Sequence, residues 1–337
     1  MKIIAYRVFL FIIVICPLRG TNIGGLSFLN IPTSAVSSYL GNTMAAEMGF
    51  PSALVQNPAN IWQHQKLKLS FLHREDTIKE LGAEYNNVFL GWNFNYIKKV
   101  SFALGLIRYD ISKIERYDEL ANFLGYFKYT NWAVLGGLSL KGSGMQGGVG
   151  FSYINQFFTN IGYEKEHFFG IDLGFNMDQV QKTFFPSLTK LPELNLSLVI
   201  KTVFSQTGDP VRTASTNSIV GIQVVQKWPN SFSVLWNTDY LSQSGSDMGF
   251  VRLGTQAKWL PNKNFGIGFG GGYNRFPVNS LKGTTDGDLR KYSGKWSFGL
   301  TLELNKIAKL IDLEIGYSYE IHPVQLDSQY ISFRFSL

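Results

Sequence analysis

Cysteine is nearly absent from this chain of 337 residues, which contains only Cys16. A single thiol excludes a disulfide framework and a thiolate metal site. Charged residues are also few, at 16%, and the net charge of +7 is spread along the chain, so we expect no nucleic-acid partner. The four histidines are scattered without metal-ligand spacing, so we expect neither a metal nor another cofactor.

Long apolar runs are missing as well. No run reaches the ~20 residues that a transmembrane helix needs. The longest lies near the start, from Val8 to Cys16, and follows the basic residues Lys2 and Arg7. A basic start and a short apolar core are typical of a secretory signal, so we predict a signal peptide over residues 1–20.

What the chain has instead is alternation. Apolar Ile311, Leu313 and Ile315 alternate with Asp312 and Glu314, and the same pattern recurs from residue 66 to the end. A period of two places successive side chains on opposite faces of a strand. The segments run to roughly ten residues, which is the length a tilted strand needs to cross a membrane. The pattern therefore predicts strands of an outer-membrane β-barrel.

The alternating pattern divides into separate segments whose number and spacing can be tested against that fold. An even number of strands and alternating short and long connections are typical of bacterial barrels. The connection from Asp178 to Pro192 breaks this alternation, and residues 110–130 are expected to form a long loop. We predict an all-β, membrane-spanning antiparallel barrel over residues 66–337 in the bacterial outer membrane. Its fourteen strands are predicted at 66–73, 85–95, 99–109, 131–141, 146–156, 165–177, 193–204, 216–227, 231–240, 248–259, 265–274, 291–304, 310–321 and 329–337.

Residues 21–65 lack the alternation and contain several prolines, so we predict a short N-terminal hatch or plug there. Pro58 restricts Asn57 to extended geometry, and the Asn57 side chain can bond to its own local backbone and fix a turn. The alternative is a flexible linker that only follows the signal.

The two faces of the predicted strands differ in polarity. Trp236 and Phe298 belong to the apolar parity and are expected to face lipid, whereas Thr301 is expected to face the lumen. One strand face carries Gly266, Gly268, Gly270 and Gly272. These glycines either leave room for a hatch or ligand or let the strand curve.

Patterns that would indicate catalysis are weak. The glycines between Gly142 and Gly147 match a dinucleotide-binding spacing but lack the following helix, so a tight turn is the better interpretation. His167 has no serine partner that spacing would suggest, which leaves an outer-membrane hydrolase without support. We therefore predict that the chain is not an enzyme.

Short motifs in a fixed order resemble those of the PorV/PorQ family of outer-membrane proteins, a branch of the FadL-type barrels. The resemblance covers nearly the full length, and it begins in the predicted hatch. The hatch residues that carry it are Phe28, Leu29, Pro32, Ala35, Gly41, Asn57, Pro58 and Ala59, and the mid-barrel residues are Gly170, Asp172 and Gly174.

The resemblance implies a non-enzymatic component of type IX protein secretion or surface attachment. Its partners would be outer-membrane lipid, secreted client proteins and other secretion-system components. The alternative function is a FadL-like channel that passes hydrophobic small molecules, with the hatch as its gate and a hydrophobic ligand as its partner.

Overall fold

The computed structural model describes most of the predicted hatch and the predicted strands apart from residues 66, 95, 248, 291–293 and 310. The predicted signal peptide and Phe28 lie outside the described residues. The described ranges are 29–62, 67–76, 82–94, 99–159, 165–184, 191–205, 215–229, 231–243, 249–277, 294–307, 311–322 and 327–337.

In these ranges the chain forms a closed barrel of fourteen strands. Every strand pairs in antiparallel fashion with its neighbours in sequence, and β1 closes the barrel against β14. The predicted fold class is therefore confirmed. The strands are β1 (Leu67–Asp76), β2 (Ala83–Asn93), β3 (Val100–Tyr117), β4 (Phe123–Lys141), β5 (Met145–Thr159), β6 (Glu166–Met177), β7 (Glu193–Ser205), β8 (Ser215–Trp228), β9 (Phe232–Gln243), β10 (Gly249–Asn262), β11 (Phe265–Pro277), β12 (Lys295–Ile307), β13 (Ile311–Ile321) and β14 (Ser328–Ser336).

In the structure, the two parities of the alternating pattern form the inner and the outer face of the barrel. Phe298 and Trp236 are 54% and 44% exposed on the outer face, whereas Thr301 is 3% exposed and points inward. An outer band of apolar side chains is what lipid contact requires. The predicted assignment of faces is therefore correct at these positions. Among the described helices, none is long and apolar enough to cross a membrane.

Two connections between strands can be compared with their predictions from the sequence. The predicted loop over residues 110–130 is wrong, because β3 continues to Tyr117 and β4 begins at Phe123. The charges that follow Ile111 disturb the alternation, and the pairing of β3 with β4 shifts register between Ile111 and Ile114. The long connection from Asp178 to Pro192 is a real insertion, and it carries a short helix at Val180–Phe184.

The predicted hatch is described over residues 29–62, here called the plug. It contains an α-helix at Ala35–Tyr39 and three 3₁₀ helices at Met44–Glu47, Pro51–Val55 and Pro58–Ile61. The α-helix lies against β11 to β14, Met44–Glu47 against β8 and β9, and the last two helices against β1 to β6. The plug therefore crosses the barrel interior and contacts the wall on opposite sides.

Candidate functional site

The plug has a compact local structure that the sequence explains. Ser34 caps the α-helix, since its hydroxyl accepts a hydrogen bond from the Ser37 amide at 2.9 Å. Gly41 and Asn42 follow with φ of 66° and 59°, which ends the helix and reverses the chain. Asn57 is extended and its side chain accepts from the Ala59 amide at 3.0 Å, so the predicted turn at Asn57–Pro58 is present.

Glycines on the inner wall make room for the plug. A side chain at Gly148 would overlap the backbone of Pro58 and Ala59, and one at Gly272 would overlap Tyr39 to Gly41. Of the glycine row in β11, Gly270 likewise faces Tyr39. Gly266 and Gly268 instead lie under wall side chains, including Glu303 and Gln256 respectively. Of this row, only Gly270 and Gly272 make room for the plug.

The plug carries one charged residue in the range 29–62, Glu47, and it is fully buried. Its carboxylate lies 2.6 Å from the guanidinium of Arg334 on β14, and it also accepts hydrogen bonds from the Ser34 and Ser52 hydroxyls. Arg334 contacts Glu314 on β13 at 3.0 Å. A buried ion pair is stable only when its remaining hydrogen-bonding groups are satisfied, and this arrangement provides those partners.

Three further wall cations bind plug carbonyl groups. Lys68 on β1 donates to the Gly49 carbonyl at 2.7 Å, and Arg252 on β10 donates to the Asn42 carbonyl at 2.9 Å. Lys201 on β7 donates to the carbonyl of Val55. Together with Arg334 these cations hold the plug from three parts of the wall: the neighbouring strands β14 and β1, strand β7 and strand β10. Charge-assisted hydrogen bonds are stronger than neutral ones, so the plug is firmly docked.

Neutral and acidic wall groups also form hydrogen bonds with the plug. The Asp239 carboxylate accepts from the Met44 amide at 2.6 Å, and the Ser139 hydroxyl donates to the Ala59 carbonyl at 3.0 Å. Tyr39 is fully buried and its hydroxyl accepts from the Gln256 amide. Burial raises the pKa of the Tyr39 phenol far above its ordinary value, so this group remains neutral.

The structure brings part of the two predicted signatures together. A side chain at Gly174 would overlap Asn57 and approach Pro58 and Ala59, and the Asn57 amide donates to the Phe175 carbonyl at 3.3 Å. Asp172 lies across the β6–β7 ladder from Lys201, the residue that binds Val55. These contacts join the hatch motif to the mid-barrel motif.

The other signature residues are dispersed. Gly170 packs against Ser152 on β5, away from the plug. Pro32, Ala35 and Gly41 are buried along the plug, and Leu29 is half-buried at its start. Ala35 donates its amide to the Ser332 hydroxyl of β14 at 3.1 Å.

The two sides of the inner wall differ: β1 to β6 carry an apolar cluster with buried polar residues such as Asn87, Ser101 and Asn131 beside it, whereas the buried inward residues of β10 to β14 are mostly polar. Plug residues Leu54 and Val55 belong to one continuous buried cluster with the wall of β1 to β6 and Tyr330. The inward-facing wall residues of this cluster include Tyr85, Phe89, Ala103, Ile107, Ala133, Leu135, Ile154 and Phe168. On β10 to β14 the buried inward residues include Arg252, Asn274, Ser297, Thr301, Ser318, Glu320, Ser328, Ser332 and Arg334.

The docking network is what the sequence analysis missed. A usable signal was present, because Glu47 is the one charge in residues 29–62 and Arg334 is the one charge in β14. Of the histidines, His167 contacts the Tyr153 hydroxyl at 2.8 Å on the outer wall. No cluster of potential metal ligands occurs among the residues that the structure describes.

A closed antiparallel barrel with an apolar outer band and a plugged interior defines a bacterial outer-membrane protein. The fold is similar to those of solved outer-membrane barrels that include a FadL homologue. No family model matches the chain, and no curated protein matches it either.

The similar structures are distant in sequence. The toluene transporter TodX of Pseudomonas putida is 11% identical with a TM-score of 0.51, over 95% of this chain and 97% of that one. The monoaromatic hydrocarbon channel CymD is 10% identical with a TM-score of 0.53, over 91% and 97%. A FadL homologue of Pseudomonas aeruginosa is 11% identical with a TM-score of 0.50, over 90% and 97%. At this identity the likeness establishes the fold.

Proposed function

We propose that this protein is a non-enzymatic outer-membrane channel for hydrophobic small molecules, closed by its plug in the conformation described here. The observation that carries the proposal is the apolar cluster on the inner wall of β2 to β6, which joins the plug in one buried cluster. Interiors of outer-membrane barrels are ordinarily polar, because they hold water. An apolar inner wall instead suits a hydrophobic solute that leaves water on entry.

The position of the apolar wall relative to the plug supports this function. In the β-ladders Ile107 and Ile154 both lie opposite Ala133. Leu54 of the plug packs at Gly137 on the same strand as Ala133. Ala133 is several residues closer than Gly137 to the long loops. A hydrophobic solute that follows this wall from outside meets the plug at Leu54 and Val55. Displacement of the plug from β1 to β6 would then open a path beside the polar docking network.

The substrate class to test first is monoaromatic hydrocarbon, which is the cargo of similar barrels such as CymD and TodX. Cells whose outer membrane contains the protein should take up radiolabelled toluene faster than cells without it, and should take up a small sugar no faster. Equal toluene uptake by both kinds of cell would contradict the proposal.

The inner wall can be tested with near-isosteric substitutions. Ile107→Thr and Ile154→Thr each place a hydroxyl on the apolar wall and should slow toluene uptake. Ser318→Thr, on the polar side, is the matched control and should leave uptake unchanged. Heat-modifiable migration on gels should show that all three variants still fold.

The second candidate function is support of protein secretion or surface attachment, with secreted clients or secretion-system components as partners. The ordered PorV/PorQ-like motifs favour it, and so does the contact between Asn57–Pro58 and Gly174. Co-purification from outer membranes followed by mass spectrometry tests it. A stoichiometric secreted protein would support secretion, and its absence together with toluene uptake would favour the channel.

A further inference from the structure

A groove runs along the outer surface of the barrel across β9 to β12. Its volume is about 670 Å³, which is within the range of small-molecule sites. Its apolar walls are formed by Trp236, Leu253, Tyr273, Trp296 and Phe298. Trp236 and Leu253 are each 44% exposed, and Trp296 and Phe298 are 55% and 54% exposed, so these side chains point to lipid rather than to the lumen.

Glycines form the floor of the groove. Gly271 has outward parity and contributes no side chain, so the ring of Phe298 is the nearest neighbour of the space it leaves. Gly254 and Gly272 face inward, where the backbone of Leu40 and Gly41 fills the space beneath them. At this place the wall is a single layer of backbone between the bilayer and the plug.

The groove lies at the outer-leaflet end of the barrel. Trp296 is the second residue of β12, directly after the long connection from β11, and its ring packs edge-on against Tyr273 at 4.7 Å between centroids. Aromatic residues of this kind mark the membrane interface. The groove therefore extends from interface depth into the hydrocarbon region, since the ladders place Phe298 and Trp236 level with each other and two residues farther than Trp296 from the long connection between β11 and β12.

Two hydroxyl groups lie in this otherwise apolar groove. Thr238 on β9 and Thr255 on β10 are both exposed on the outer face and both line it. Within the described residues neither side chain has a hydrogen-bond partner. A hydroxyl in hydrocarbon without a partner is unfavourable, so an occupant with a polar oxygen at this depth would be bound better than a plain alkane.

We propose that the groove binds one acyl chain of an outer-leaflet lipid, with the ester or hydroxyl oxygen of that chain at Thr238 and Thr255. The groove opens to the bilayer, its walls are apolar, and its hydroxyls lie just below the aromatic interface, where such oxygens occur. A protein partner would need roughly 800 Å² of buried surface per partner, which suits a broad face rather than a concave slot.

The experiment uses the full protein reconstituted with a phospholipid that carries a diazirine in its acyl chain. After illumination, mass spectrometry of peptides locates the label. We expect label concentrated on peptides of β9 to β12 in the wild type. Uniform labelling of all lipid-facing strands would overturn the proposal.

Gly271→Leu fills the groove and should abolish this concentrated label. Gly136→Leu is the matched control, because it also places a leucine on the lipid face, where the nearest neighbour of the added carbon is Leu104 at 3.6 Å. It should label like the wild type. Unchanged label in Gly271→Leu would contradict the site.

Thr238→Val combined with Thr255→Val keeps the shape and removes both hydroxyls, so it should weaken the label even if Gly271→Leu fails to fold. Two competition outcomes would count against lipid as the occupant. Loss of label on addition of toluene would assign the groove to transported solute. Loss of label at high protein-to-lipid ratio, with chemical cross-linking into dimers, would assign it to a second copy of the chain.

Discussion

The guanidinium of Arg334 and the carboxylate of Glu47 lie 2.6 Å apart inside the barrel, with both side chains buried. The two residues are 287 positions apart in the chain, and their contact fastens the plug to the last strand. Because Glu47 is the one charge in residues 29–62, it is the point at which the plug can be loosened with least change elsewhere.

Glu47→Gln should therefore weaken the docking of the plug. Removal of one partner from a buried ion pair costs about 3–5 kcal/mol, although here Glu314 still neutralises part of the Arg334 charge. The loss falls on the docking of the plug and not on the pairing of the strands. We therefore expect the barrel to stay folded and to show a higher ionic conductance in planar bilayers than the wild type.

The matched control is Glu193→Gln, which breaks a partly exposed pair with Lys227 at 3.0 Å outside the plug. An exposed pair contributes little, so conductance should not change. A tightly closed Glu47→Gln channel would show that the ion pair does not hold the plug.

Gly148→Val should displace the plug by direct overlap with Pro58 and Ala59. We expect raised conductance and faster protease cleavage between residues 29 and 62. Gly147→Val is the control on the same strand, because an added carbon at Gly147 meets nothing within 4 Å. If both variants behave alike, the contact between the wall and Pro58 is not what positions the plug.

Leu300→Arg should destabilise the barrel, since Leu300 is 57% exposed in the middle of β12 on the lipid face. An arginine near the bilayer midplane costs about 2–4 kcal/mol, and one near the interface costs about 0–1 kcal/mol. Trp259→Arg, near the end of β10, should therefore cost much less. Reversible unfolding by denaturant in lipid vesicles measures both, and equal losses would mean that the depth assignment is wrong.

The strands could be predicted from the sequence because lipid imposes a local rule. Every second residue of a membrane strand must be apolar, so Ile311, Leu313 and Ile315 reveal their strand without knowledge of its neighbours. The rule fails beyond the membrane. Around Lys113 and Glu115 the side chains of both parities of β3 are largely exposed. No buried face then imposes an alternation, so the sequence pattern did not predict this part of the strands.

The interior could be predicted only in part. Asn57 and Pro58 act on their own backbone, so their turn was readable in sequence. The docking of Lys68, Lys201, Arg252 and Arg334 against the plug depends on closure of the barrel. No local pattern encodes which inward cation meets which plug carbonyl, although the isolated charge of Glu47 in an otherwise uncharged segment indicated that one partner must exist.

The most direct test of the channel proposal is toluene uptake with the plug tied to the wall. Pro58 and Gly150 are suitable sites, because a side chain added at Gly150 on β5 would start 3.6 Å from the Pro58 Cβ, on the side from which the plug must move, and the chain has no cysteine after Cys16. Cells with the double variant Pro58→Cys and Gly150→Cys should take up toluene when the pair is reduced and stop when it is oxidised. Each single variant should be insensitive to oxidation. Toluene uptake that continues unchanged with the disulfide fully formed, or that never exceeds that of cells without the protein, would contradict a plug-gated channel for hydrophobic molecules.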